Sequence, residues 1–296
     1  MKHFIYIFLV SILTLSGTKH SYAQTEIKTS IKSIIENKNL ELGFAIFNLD
    51  TEKHCDINGN DRFPMQSVYK FPIVLALLNQ TDKGLLALYD TLAIDKKSLH
   101  PNTWSPLRDN FPNGVNITVA ELIKYVIKLS DNNGSDIALD LAGGAEAVQH
   151  YLNTLGIRGV KVRNSEFEIQ SSWNVQYDNW AKPKEIIDLL GLFYNREILK
   201  PQSYDYLWNL MEDTKTGSIR KLLPSNALVA YKTGYSGVGK DGIIAAQNCV
   251  GIMRTIDGSM VAFAIFITNS KESDATNYSV IAEIGAEIYA LKKIDN

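Results

Sequence analysis

The chain has 296 residues, 30 of them basic and 32 acidic, for a formal net charge of −2. A balance that mild argues against the clustered basic face of a nucleic-acid-binding protein. The length suits one large domain or two interleaved lobes.

Residues 1–23 begin with Lys2, run apolar from Phe4 to Leu15, and end in Ser21-Tyr22-Ala23. A charged start, a short apolar core and small residues before a cut site describe a secretory leader. The run falls short of the roughly 20 apolar residues a membrane span needs, so cleavage after Ala23 and export as a soluble chain are expected. No cysteine lies near the cut for lipid attachment. The leader takes away two of the 30 basic residues and none of the 32 acidic ones, so the mature chain carries 28 against 32, about −4.

A helix is expected over 25–38, with Ile27, Ile31, Ile34 and Ile35 on one face. Two strands follow, an apolar run from Leu42 to Leu49 and Glu52 to Ile57, the second bounded by the turn Asn58-Gly59-Asn60. From about 65 to 215 the pattern is mostly helical. One helix opens with the capping box Thr118-Val119-Ala120-Glu121, and others run Glu146–Leu155, Pro183–Tyr194 and Gln202–Met211. Strands return at Ala227–Lys232, Ile243–Met253 and Met260–Thr268, and a helix over Tyr278–Lys292 closes the chain. Strands at both ends around a helical middle predict an α+β fold, with a sheet-plus-helix lobe assembled from the termini and an inserted all-helical lobe. There are no repeats and no low-complexity linker.

The chemistry sits in four short motifs. Ser-x-x-Lys occurs three times, at Ser16–Lys19, Ser67–Lys70 and Ser218–Lys221. The first belongs to the leader. Ser67 stands at the start of the apolar stretch Val68–Leu78, where a helix would put Ser67 and Lys70 on one face. The ammonium then lies beside the hydroxyl, and the helix start offers unpaired N–H groups to an oxyanion. By itself the pair is as readily a capping serine and an ordinary lysine. Lys-Thr-Gly is duplicated too. Lys215-Thr216-Gly217 follows an acidic helix end and reads as a helix stop with Gly217 as terminator. Lys232-Thr233-Gly234 ends an apolar strand, which can hold the triplet rigidly along a cleft. Ser130-Asp131-Asn132 occurs once and also suits a helix N-cap. Glu166 and Glu168 lie in the loop Asn164–Gln170, where either is otherwise a solvated charge.

Taken together in this order, the motifs resemble the class A serine β-lactamases over nearly the whole mature length. The resemblance implies a serine β-lactamase/penicillin-binding-protein-like fold with a five-stranded antiparallel sheet. Residues 24–296 would form the catalytic domain, its α/β lobe from about 24–62 and 218–296 and its helical lobe from about 63–217. It implies hydrolysis of β-lactam antibiotics through an acyl-serine, without cofactor or metal. Ser67 is then the nucleophile and Lys70 its partner, Ser130 relays a proton to the departing nitrogen, and Glu166 activates water. Asn132 would hold the substrate's side-chain carbonyl. Lys232 and Thr233 would bind its carboxylate, and Gly234 would let it lie close to the backbone. Gln170 stands four residues after Glu166, where most members have asparagine, and favours Glu166 over Glu168 as the base.

The stretches 100–106, 174–180 and 216–220 resemble the PER- and VEB-type extended-spectrum branch. Asn164 and Asn179 occupy the loop necks where most members place an Arg–Asp pair, so no ionic clamp is expected and Phe167, Ile169 and Trp173 are candidates to hold the loop by packing. The same resemblance gives Arg220 the part of a second cation behind Lys232, although a helix-surface arginine fits the sequence equally. It places Trp104 and Ser105 at the cleft mouth. Tyr235 follows the triplet where a small residue is usual; its N–H can complete an oxyanion hole with that of Ser67. Cys55 and Cys249 fall on strands that are not neighbours in the family's sheet, so two unbridged, mostly buried thiols are expected. A periplasmic or secreted monomer acting on a small-molecule β-lactam, with no nucleic-acid or membrane partner, completes the expectation. The rivals are a D,D-peptidase-like penicillin-binding protein and a non-hydrolytic β-lactam sensor.

Overall fold

The computed structural model describes residues 25–292. The expected leader and its cut after Ala23 lie outside the described residues. The main sheet has five strands, labelled here β1 (Glu41–Asn48), β2 (Lys53–Ile57), β3 (Val229–Tyr235), β4 (Ile244–Arg254) and β5 (Met260–Ser270). Their spatial order is β2-β1-β5-β4-β3 and every pairing is antiparallel. The register sets Phe44 against Ile265, Ile265 against Cys249, and Cys249 against Thr233.

The strands read as unbroken apolar runs because both faces of the sheet are covered. Alternate side chains serve different cores: Val261, Phe263, Ile265 and Ile267 pack with Ile27 and Ile31 and with Val280, Ile284 and Ile288 of the closing helix, Asp274–Tyr289. Ala262, Ala264 and Phe266 face the other way, into the core shared with the helical middle. The helix Lys70–Asp82 runs through that core and is buried from Lys70 to Leu78, which is why its sequence lacks an amphipathic stripe. The capping box forms as expected: Thr118 Oγ1 accepts from Glu121 N at 3.1 Å, and Glu121 accepts from Thr118 N at 2.8 Å.

The differences from expectation are local. The first helix ends at residue 34. The closing helix starts four residues early, at Asp274, because Ser273 caps it by accepting from Thr276 N. Lys232-Thr233-Gly234 lies inside β3 rather than at its end. Gly217, with φ +73, lies four residues beyond the capping residue of helix Pro201–Glu212 and does not terminate it. Two small sheets were not foreseen: a hairpin of Thr91–Asp95 with Gly114–Thr118, and the two-residue strands Phe63–Pro64, Val160–Lys161 and Trp180–Ala181. Cys55 on β2 and Cys249 on β4 are both buried, with β1 and β5 between them, and no disulfide joins them.

Candidate active site

Ser67 sits in a 3-10 turn, Gln66–Tyr69, that leads directly into the helix starting at Lys70. Gln66 has φ +47, a left-handed conformation that a non-glycine residue keeps only when its surroundings hold it there. Here the Gln66 amide donates to Gln176 Oε1 at 2.7 Å. Strand β3 passes hard against this turn: a Cβ on Gly234 would lie 2.4 Å from Met65 O and 3.2 Å from Ser67 N. The glycine is therefore required first by the chain's own close approach. Ser236 N donates across to Ala246 O on β4, so by strand alternation the N–H of Tyr235 points out of the sheet, towards the cleft.

Lys70 is the hub. Fully buried, its Nζ lies 2.8 Å from Ser130 O, 2.6 Å from Asn132 Oδ1 and 3.0 Å from Glu166 Oε1. Those three acceptors match the three donors of an ammonium. Ser130 is held at φ +54. Next to it Asp131 caps the helix Asn132–Leu141 and accepts from Gly134 N, Leu107 N and Ser105 Oγ. The tripeptide thus caps a helix and presents two cleft-lining side chains at once.

Lys232 Nζ donates to Ser130 Oγ and to Thr233 O, both at 2.9 Å. Burial, and then the charge of Lys70, push its pKa well below the ordinary lysine value. Thr233 Oγ1 pairs with Thr216 Oγ1 at 2.8 Å. The duplicated triplet, read from sequence as a helix stop, therefore contributes a hydroxyl to the same wall.

The loop carrying Glu166 is tied down by neutral amides. Asn179, fully buried, accepts from Arg163 N at 2.7 Å and Asn164 N at 3.0 Å, and donates to Asn164 O at 2.8 Å. The Asn164 amide donates to Asp178. Asp136 adds a second anchor that sequence reasoning missed: its carboxylate accepts from Glu166 N at 2.6 Å and Phe167 N at 3.0 Å. Burial pushes the Asp136 pKa up to about 7, against the pull of those two N–H groups. Of the apolar candidates Ile169 is buried, whereas Phe167 lies largely in solvent, stacked on His100. Trp173 is more than a third exposed and lines the cleft. Thr103 was missed as well; its Oγ1 accepts from Asn132 Nδ2 and from Gln170 Nε2, each at 2.7 Å, and so ties the two amides together.

Two expected site residues lie elsewhere. Arg220 does not lie with the cleft-lining groups. Its guanidinium donates to Ala227 O, Glu212 O and Val229 O and so braces the segment before β3. Three of its N–H donors go to carbonyls and its buried Nε has no partner, so the arginine braces backbone outside the groups that line the cleft. Ser105 is fully buried on Asp131 rather than at the mouth. Trp104 does stand at the mouth, exposed, its indole N–H on Leu129 O. Tyr235 lines the cleft with its hydroxyl on Asp274 Oδ2 at 2.9 Å. Among the described residues no cluster of His, Cys, Asp and Glu has metal-ligand geometry.

Ser67, Ser130, Asn132, Glu166, Gln170, Thr233, Gly234 and Tyr235 thus line one cleft of about 840 Å³. The model of the Beta-lactamase enzyme family matches residues 26–291. The chain belongs to that family. This β-lactamase is 40% identical to Beta-lactamase VEB-1 of Pseudomonas aeruginosa over 90% of each chain. It is 33% identical to the Extended-spectrum beta-lactamase PER-1 of the same organism, over 96% of this chain and 93% of the relative. The crystal structure of a class A β-lactamase from Bacteroides cellulosilyticus superposes with a TM-score of 0.86 at 33% identity, covering 90% of this chain and 97% of that one. The β-lactamase is of class A, and its five-stranded antiparallel sheet flanked by helices is the fold the resemblance implied.

Proposed function

We propose that this class A β-lactamase hydrolyses its substrates through an acyl-enzyme on Ser67. The observation that carries this reading is the Lys70 ammonium bridging Ser130, Asn132 and Glu166 one turn from Ser67. Ser67 Oγ attacks the lactam carbonyl, and the N–H groups of Ser67 and Tyr235 receive the oxyanion. Ser67 gives its proton to Lys70, which passes one of its own to Ser130, so the acylation relay leaves Glu166 ionised. Ser130, held by Lys232, delivers a proton to the ring nitrogen as the C–N bond breaks. Glu166 then takes a proton from water as it attacks the acyl carbonyl, and that proton returns through Lys70 to Ser67 Oγ as the acyl C–O bond breaks. Lys232, Thr233 and Thr216 form the wall for the substrate carboxylate, while Asn132 and Gln170 offer amides to its acylamino side. A carboxylate at 3.0 Å from Lys70 supports turnover over a permanently acylated state.

The extended-spectrum reading rests on the loop. A neck closed by amide hydrogen bonds instead of an ion pair, and a cleft edged by exposed Trp104 and Trp173, suit bulky oxyimino side chains. Export through the 1–23 leader to the periplasm and action as a monomer belong to the same proposal. Intact-mass spectrometry of Glu166→Ala mixed with an oxyimino-cephalosporin tests it: a stable adduct mapped to the Ser67 peptide is expected, and an unmodified Ser67 would refute the assignment.

A further inference from the structure

Tyr69 stands between Ser67 and Lys70 in sequence, yet no step above uses it. Its side chain is fully buried, and its hydroxyl has no hydrogen-bond partner. A buried phenol without an acceptor is costly, so what surrounds it matters. The charges that act on it are carboxylates: Glu166 first, then Asp136 and Glu168. Burial, followed by these charges, pushes the Tyr69 pKa well above its ordinary value, which keeps the phenol a proton donor.

The acceptors can be sorted by what they already hold. Both oxygens of Asp136 are occupied by the N–H groups of Glu166 and Phe167. Glu168 is turned to Ser165, accepting from its N and Oγ. Lys70 takes Oε1 of Glu166 and leaves Oε2 for another donor. A buried donor without an acceptor thus lies under the influence of a carboxylate of which Lys70 takes one oxygen, both within the helix-and-loop pair that builds the deacylation machinery.

We propose that Tyr69 is a positioning residue for deacylation: its phenol hydrogen-bonds Glu166 Oε2, so that the carboxylate is held between the Lys70 ammonium on one side and the Tyr69 hydroxyl on the other. Two fixed donors on one carboxylate define which lone pair faces the attacking water. A side chain held only by Lys70 can rotate about that single contact. The inference rests on Glu166 being the base, as proposed above. The charged and titratable groups around Glu166 are Lys70 on its helix, Lys232 on β3, Asp136 on the helix Asn132–Leu141 and Glu168 on the same loop.

The test is Tyr69→Phe in the full mature chain, which removes one oxygen and keeps the ring. Acylation and deacylation are measured separately, by rapid quench and intact mass with a cephalosporin substrate. Deacylation is expected to fall by roughly tenfold, the worth of a hydrogen bond to a charged group, with acyl-enzyme accumulating while acylation is unchanged. The acidic limb of kcat moves to higher pH, since the ionised carboxylate has lost a donor. On a Glu166→Ala background the same substitution changes nothing further. Equal deacylation and an unmoved pH profile would overturn the proposal. So would a parallel loss of both steps with a lowered melting temperature, which marks a packing role only. If Glu166→Ala itself deacylates normally, the base assignment fails and takes this inference with it. Failure of Tyr69→Phe alone leaves the Glu166→Ala arrest intact.

Discussion

Replacing Asn179 by alanine should loosen the Glu166 loop at its neck, and the structure fixes how much is lost. The side chain makes three hydrogen bonds, with Arg163 N, Asn164 N and Asn164 O, at 2.7, 3.0 and 2.8 Å. Removing it leaves three backbone groups without partners, each costing about 1–3 kcal/mol if it stays dry. Arg163 is exposed and Asn164 half-buried, so water reaches these groups and the low end applies, about 3 kcal/mol in all. For a domain of this size that is a melting temperature lower by roughly 6–12 °C. The backbone tie from Met65 N to Asn179 O survives the substitution, so the fold should persist while Glu166 drifts from Lys70 and kcat falls. Thermal unfolding and steady-state turnover on the same preparation check both halves. A shift under about 2 °C with undiminished kcat would refute the reasoning that this amide, rather than apolar packing, secures the loop. Asn179→Asp keeps both acceptor contacts, loses the donor to Asn164 O, and is expected to fall between the two.

Asp136→Asn addresses pH. A carboxyl whose folded pKa is raised from 3.8 to about 7 contributes stability that is full at low pH and is lost as pH rises through that range. Urea unfolding between pH 5 and 8 should therefore show the unmodified enzyme gaining on Asp136→Asn as pH falls. A constant gap would mean that the carboxyl titrates normally. Thr103→Val removes the oxygen shared by Asn132 and Gln170. KM should rise several-fold with kcat changed less, because both amides lose preorganisation for the substrate, and an unchanged KM would remove Thr103 from the site.

The sequence made the reacting groups visible because their chemistry is local: Ser67 and Lys70 share a turn, and Lys232 to Gly234 share a strand. The five strands were visible because both faces of the sheet are covered and the strands are correspondingly apolar. The supports were not legible, since they act across long separations. Asp136 reaches Glu166 over 30 residues and Thr103 reaches Gln170 over 67, and nothing local marks either pairing. Arg220 illustrates the converse. The resemblance suggested a ligand, yet three of its N–H groups go to carbonyl oxygens that only the fold brings together. The resemblance placed Ser105 at the mouth together with Trp104, while its hydroxyl turns inward to Asp131. Two-residue strands such as Phe63–Pro64 carry no period to read.

The most direct measurement is the time course of a chromogenic cephalosporin mixed with the mature enzyme and, in parallel, with Glu166→Ala. The account predicts sustained turnover by the first and a burst of about one equivalent, followed by arrest, from the second. Continued turnover by Glu166→Ala, or a single-equivalent burst from the unmodified enzyme, would contradict it.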